Sequence, residues 1–415
     1  MERGPVRGVI RRASRLLTLA AVAACGGTPP PSTPHPVPDT TAQVPPAAVS
    51  PLLGPAPPAR LYAPVRLAFV GDINLGTSTL ADGVPPYDGR RLFDQARPAL
   101  VGDLVVGNFE GVLADTGSSV KCEWLRARIA RQQRELRRLR RQHRVPPPDT
   151  TSDQPGCYAF RTPTALAPRL REAGFTHLNL ANNHANDFGP AGRASTEALL
   201  DSLGIDFYGP IGRIAIDTVR RGDSLTTVGL IGFSTYPFAY DLLDIQRSAA
   251  VVDSIRPLVD LLLVTFHGGS EGVRAVHTPE QAESLGHEPR GELRRWAHAV
   301  IDAGADGVVG HGPHVLRGIE LYRGKPIVYS LGNFLTYRGF SLAGLLGVTG
   351  VLQLEYAPDR RLRGARIVPM RQFPLRGPAP DPDGQALELI RQLSREDFGE
   401  AGAQIRPDGA IVLGP

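Results

Sequence analysis

D-L-L-L-V-T-F-H-G-G, residues 260–269, is a short, mostly apolar run that breaks off into a histidine and two glycines. A run of this length is too short for a buried helix and suits a strand covered on both faces. The same pattern recurs in R-L-A-F-V-G-D (66–72), D-L-V-V-G-N-F-E (103–110), T-H-L-N-L-A-N-N-H (176–184), D-G-V-V-G-H-G-P-H (306–314) and K-P-I-V-Y-S-L-G-N-F (325–334). Between these runs lie helical patterns such as 194–203 and 292–303. Strands alternating with helices predict an α/β domain with largely parallel strands. In such domains the loops at the carboxyl ends of the strands build the ligand site. Each run here ends in polar, mostly metal-capable residues.

Of the ten histidines, His184, His267, His311 and His314 fall in these strand-end clusters. Asp72, Asn74, Glu110, Asn183, Asp187 and Glu271 fall beside them. Imidazole, carboxylate and amide donors without thiolate suit zinc, manganese or iron. Two such ions can clamp the attacking and leaving oxygens of a hydrolysis. In N-L-A-N-N-H-A-N-D-F-G (179–189), Asn183 offers an amide oxygen, His184 an imidazole, and Asp187 a carboxylate able to orient that ring. Asn182 and Asn333 are expected to support the ligands from behind by satisfying loop backbone.

The runs F-V-G-D-I-N-L-G, G-N-F-E-G-V-L, N-L-A-N-N-H-A-N-D-F-G, F-H-G-G-S-E-G and G-H-G-P-H-V-L-R-G-I-E-L-Y-R-G-K-P-I-V-Y-S-L-G-N-F resemble the CapA family, associated with capsule and poly-γ-glutamate synthesis. That family is similar to a branch of the calcineurin-like metallophosphatases, and the resemblance spans residues 65–368 in order. It implies a single-domain, two-sheet α/β sandwich and one or two divalent transition-metal ions. Asp72, Asn74, Glu110, Asn183, His267, His311 and His314 would hold the metal, with His184, Asp187 and Glu271 in catalytic roles. Two departures stand out. Asp72-Ile73-Asn74 replaces the superfamily's Asp-x-His, so one imidazole is missing. His267-Gly268-Gly269-Ser270-Glu271-Gly272 keeps the histidine and glutamate of the family's H-W-G-x-E-Y but lacks both aromatics.

The first 25 residues read as an export signal, with Arg3, Arg7, Arg11, Arg12 and Arg15 ahead of L-L-T-L-A-A-V-A-A. The apolar run is too short to span a bilayer permanently. V-A-A-C resembles a lipobox that would place a lipid on Cys25; a plain secretory cleavage at an A-x-A site is the alternative. Residues 26–64 are a proline-rich tether and 65–415 the folded domain, with 371–415 as its C-terminal extension. In an exported chain the remaining Cys122 and Cys157 read as one disulfide, two free thiols being the other reading.

Residues 121–156 form an Arg-rich insertion. Ten Lys/Arg against two Glu between Lys121 and Val145 give a local charge of +8, against +5 for the whole chain. The basic balance is therefore local. Leu125, Ile129, Leu136 and Leu139 share one helical stripe, which predicts an amphipathic, largely solvated helix, or one that meets anionic lipid or an acidic polymer. Export and the lack of interleaved aromatics exclude nucleic acid. Two functions follow: a metal-dependent hydrolase of phosphoesters or of amides in an acidic polymer, or a lipid-anchored, non-catalytic subunit of a capsule-synthesis membrane complex that binds or guides such a polymer.

Overall fold

The computed structural model describes residues 62–141 and 157–414. The expected export signal, Cys25, most of the tether and the end of the insertion lie outside them. The folded part begins slightly before residue 65: Ala63 is buried and its carbonyl accepts a hydrogen bond from Thr226 Oγ1.

Two mixed sheets face each other. The first runs outward from the strand Val65–Asn74, with Leu104–Phe109, His177–Asn179 and Asp206–Tyr208 parallel to it on one side. Val348–Tyr356 lies antiparallel on its other side, followed by Leu362–Gln372 and Pro378–Pro380. The second sheet has Ser224–Ser234, Leu261–His267, Gly307–His311 and Lys325–Val328 in parallel at its centre, with antiparallel edges.

Alternation along each strand divides the core. Val65, Leu67 and Phe69 join Leu230, Leu263 and Val309 between the sheets. Ala68 and Val70 face the other way, toward Leu170 and Leu200 on the helices Pro168–Ala173 and Gly189–Ser202. On the outer face of the second sheet, Trp296 of the helix Leu293–Asp302 packs against Phe233 and Phe266. Both faces of both sheets are thus covered, which is why the strands read as nearly unbroken apolar runs. The C-terminal helix Gln385–Phe398 belongs to the same body: Leu387 and Ile390 enter the core between the sheets. The fold is the α/β two-sheet sandwich implied by the sequence.

One irregularity positions the site. The strand Val65–Asn74 changes neighbours near its end: Val65–Phe69 pair with Val348–Tyr356, whereas Asp72–Asn74 pair in parallel with Asn333–Thr336. The chain at the switch passes so close to the loop before Asn333 that a Cβ on Gly71 would lie 1.8 Å from the Gly332 carbonyl oxygen. Gly71→Ala is expected to destabilise the fold by about 3 kcal/mol, the upper end for overpacking, because the obstruction is backbone. The urea-unfolding midpoint measures this.

The inserted helix spans Val120–Arg141, and Leu125, Ile129 and Leu139 are half-buried along it while most of its arginines are exposed. A Cys122–Cys157 disulfide, Cα–Cα 5.6 Å, closes its base.

Candidate metal centre and active site

Asp72 stands at the carboxyl end of the central strand of the first sheet, Glu110 just beyond the neighbouring strand, and His267 and His311 at the ends of adjacent strands in the second. His267 and His311 are register partners across the strand pair. The two sheets therefore bring these side chains to one edge. Asp72 Oδ2 lies 2.9 Å from His314 Nδ1 and Asp72 Oδ1 3.4 Å from His311 Nδ1. Glu110 Oε1 lies 3.8 Å from His267 Nε2 and 3.9 Å from His314 Nε2. Ligand atoms of Asp72, Glu110 and His314 all fall within 4.8 Å of one another.

Local backbone explains how two histidines three residues apart both reach this point. Gly312, at φ 113°, packs so closely on Gly268 that a Cβ would meet its carbonyl oxygen at 2.6 Å. His314 then adopts φ 60°, the left-handed region that non-glycine residues rarely occupy and that recurs at functional sites.

The electrostatics follow from dense burial of unlike groups. Burial alone would raise the Asp72 carboxyl, but the facing His311 and His314 imidazoles, the latter within hydrogen-bond distance, hold it far below the usual carboxylate range. Glu110 is pushed well above that range by burial, with Asp72 and Glu271 adding to the effect against His314 and Arg290. His314 is pushed up to about 10, against its burial, by Glu110, Asp72 and Glu271. His267 is held well below the imidazole range by burial and by Arg290.

Several buried acceptors here have no hydrogen-bond partner among the described residues: both Glu110 oxygens, Asn183 Oδ1, His267 Nε2 and Asn333 Oδ1. Buried polar atoms are nearly always satisfied, so unpartnered ligand atoms such as these are suited to taking up a cation. These donors, with Asp72, His311 and His314, fit a divalent transition metal.

Asn74, expected as a ligand, is engaged by backbone in this structure. Its Nδ2 donates to the Glu110 carbonyl at 2.8 Å and its Oδ1 accepts from Gly76 N at 3.0 Å, so the side chain ties together the two strand ends that carry Asp72 and Glu110. Asn182 donates to Asn108 Oδ1 and the Phe109 carbonyl and accepts from His184 N. Asn333 donates to the Leu346 carbonyl and is the register partner of Asp72.

His184 Nδ1 lies 2.7 Å from Asp187 Oδ2, which also accepts from Phe160 N at 2.8 Å. Burial holds His184 below the usual imidazole range, against the pull of Asp187. Facing a carboxylate at this distance, Nδ1 is the donor of the pair, which leaves Nε2 for exchange. Glu271 is tied by Oε1 to Arg290 Nη2 at 2.5 Å, and its Oε2 lies 3.8 Å from His314 Nε2. His184, Asn183, Glu271, His314 and Asn333 all line one cavity of about 530 Å³.

Three residues enter the site without having been read from the sequence. Asn108 is fully buried, donates to Asp72 Oδ1 at 2.8 Å, lies 3.4 Å from His267 Nδ1 and accepts from Asn179 and Asn182. A polar residue inside a wholly buried strand was its signal. Asn108→Ala strands those amides and frees the Asp72 carboxylate; it is expected to cost about 1–3 kcal/mol in urea unfolding and 10–100-fold in metal affinity. Arg290, fully buried on the short strand Glu288–Gly291, left no motif. Lys121 reaches in from the start of the basic helix, its Nζ 3.2 Å from Asp187 Oδ1.

Residues 146–338 match the family described as bacterial capsule synthesis protein PGA_cap. The chain is 31% identical over 186 residues to the PGA biosynthesis protein CapA of Bacillus subtilis (strain 168), covering 41% of this chain and 45% of that one. It is 31% identical over 189 residues to the capsule biosynthesis protein CapA of Bacillus anthracis, covering 41% and 43%. Over this part of its length the chain is similar to the CapA proteins. It also matches a probable polyglutamine synthesis accessory protein of Mycobacterium tuberculosis, 29% identical over 257 residues, covering 54% and 60%. The match spans about half the length of these curated relatives. Among solved structures, a putative 5'-nucleotidase from Staphylococcus aureus is similar at TM-score 0.39 and 14% identity, covering 79% of this chain and 58% of that one.

Proposed function

We propose that this protein is a CapA-like, metal-dependent hydrolase of the bacterial cell envelope, exported and anchored through a lipid on Cys25, and acting on a phosphoester or amide bond in capsule or poly-γ-glutamate metabolism. One observation carries the hydrolase reading: unpartnered buried acceptors of Glu110, Asn183 and His267 beside the Asp72–His314 contact. Asp72, Glu110, Asn183, His267, His311 and His314 would hold one or two ions of manganese, zinc or iron. A divalent ion held there supplies Lewis acidity toward the oxygen of the scissile group.

The chain's own groups would do the rest. Asp72 stays ionised because His311 and His314 face it. His184 lines the cavity and, with Nδ1 fixed on Asp187, gives or takes a proton at the reacting oxygen through Nε2. Phe160 packs against His184 in a tilted arrangement, with ring centroids 4.3 Å apart, and covers that side of the imidazole. Glu271, held by Arg290, faces His314 across the cavity.

The test is turnover of bis(4-nitrophenyl) phosphate and γ-glutamyl-4-nitroanilide by the full chain, stripped with a chelator and then resupplied with manganese or zinc. Turnover that appears only with the ion supports the reading; none under any ion counts against it. A second reading, a non-catalytic subunit that guides an anionic polymer, is favoured by the exposed Arg126, Arg128, Arg131, Arg134, Arg137, Arg138 and Arg141 on the inserted helix. It predicts polymer binding without turnover.

A further inference from the structure

The cavity in front of the candidate metal centre carries no excess of positive charge among its lining residues. Lys121 and His314 stand there against Glu271 and Glu288. Lys121 is already engaged by Asp187, and the nearby Arg290 is fully buried and held by Glu271 and Glu288. The rest of the lining is dominated by rings and aliphatic side chains. Phe160 and Phe340 pack with centroids 4.8 Å apart, and Phe340 sits 5.1 Å from the His314 ring, so the apolar wall continues to the metal-binding residues. At the mouth stand Trp124 and Tyr158, each 61% exposed. They adjoin the two half-cystines: Tyr158 follows Cys157, and Trp124 lies one turn into the helix that Cys122 anchors. The disulfide thus holds two open aromatic side chains at the rim of the cavity.

We infer that this cavity is a binding site for an aromatic ring, so that the substrate class is a small aryl-bearing phosphoester or amide whose ring lies between Trp124, Tyr158, Phe160 and Phe340 while its scissile group reaches the metal-binding residues. This rests on the hydrolase reading above and makes it more specific. Rings pair with rings in offset or edge-on geometry beyond the gain from area alone. Apolar walls with a few convergent polar groups at one end are how small-ligand sites are usually made.

The test compares phenylphosphonate with methylphosphonate by calorimetry on the full-length, manganese-loaded protein, neither ligand being cleavable. Emission gives a second readout, since the chain has two tryptophans, of which Trp296 is fully buried and Trp124 is open. Phenylphosphonate is expected to bind at least ten-fold tighter and to perturb Trp124 emission. Trp124→Leu and Phe340→Leu are expected to abolish that preference while methylphosphonate binding stays as in the native chain. Equal affinities for the two ligands would overturn the aromatic site and leave the hydrolase reading standing. Failure of both phosphonates to bind protein that has taken up manganese would overturn the hydrolase reading and this inference with it.

Discussion

Glu110→Gln is expected to leave the ion-free protein as stable as the native chain, within about 1 kcal/mol, and to abolish its stabilisation by divalent ions. Glu110 is fully buried, neither of its oxygens has a hydrogen-bond partner among the described residues, and burial drives its carboxyl toward the protonated form. Without an ion, glutamine therefore differs little from the group it replaces. With an ion, the native carboxylate gains the positive partner that burial denies it, and the amide cannot. At an ion concentration a thousand times the Kd, the native chain should gain about 4 kcal/mol of unfolding free energy. The variant should gain almost none. Urea unfolding of both proteins, with chelator and with manganese, gives the four numbers. Equal stabilisation of the two would remove Glu110 from the ligand set.

His184→Ala should lower kcat by about 10²–10⁴-fold with little change in KM and none in bound metal. His184 lines the cavity on the Phe160 side, and its imidazole is fixed through Nδ1 by Asp187 rather than by Asp72 or Glu110. Its loss removes a proton carrier without removing a ligand. Steady-state kinetics with an ion-dependent chromogenic phosphoester, together with metal content, separates the two roles. A variant that loses metal along with rate would make His184 a support of the centre instead.

The strands were legible because burial on both faces leaves no polar alternation to confuse them, as in Leu261–Phe266. Asp72, Glu110, His267, His311 and His314 were legible for a related reason: each interrupts such a run just where a parallel strand must end. Asn74 follows the same rule, but position alone does not say that its amide is used by the Glu110 and Gly76 backbone. Asn108 was hidden inside the strand it interrupts, and its role exists only because Asp72, Asn179, Asn182 and His267 converge on it from other strands. Lys121 was hidden by its neighbours. A charge run reads as a solvated face, yet the first turn of that helix is stapled to the site, with Lys121 N and Ser119 Oγ donating to the Asp187 carbonyl. Arg290 is held by pairings that sequence spacing does not encode.

The most direct test of the metal centre is elemental mass spectrometry on the full chain after loading with manganese or zinc and desalting, beside an Asp72→Ala/His311→Ala double variant shown by circular dichroism to be folded. The expected result is about one or two equivalents of metal in the native chain, as for a mono- or dinuclear site, and none in the variant. The same small amount in both proteins, or none in either, would contradict a metal centre at the strand ends.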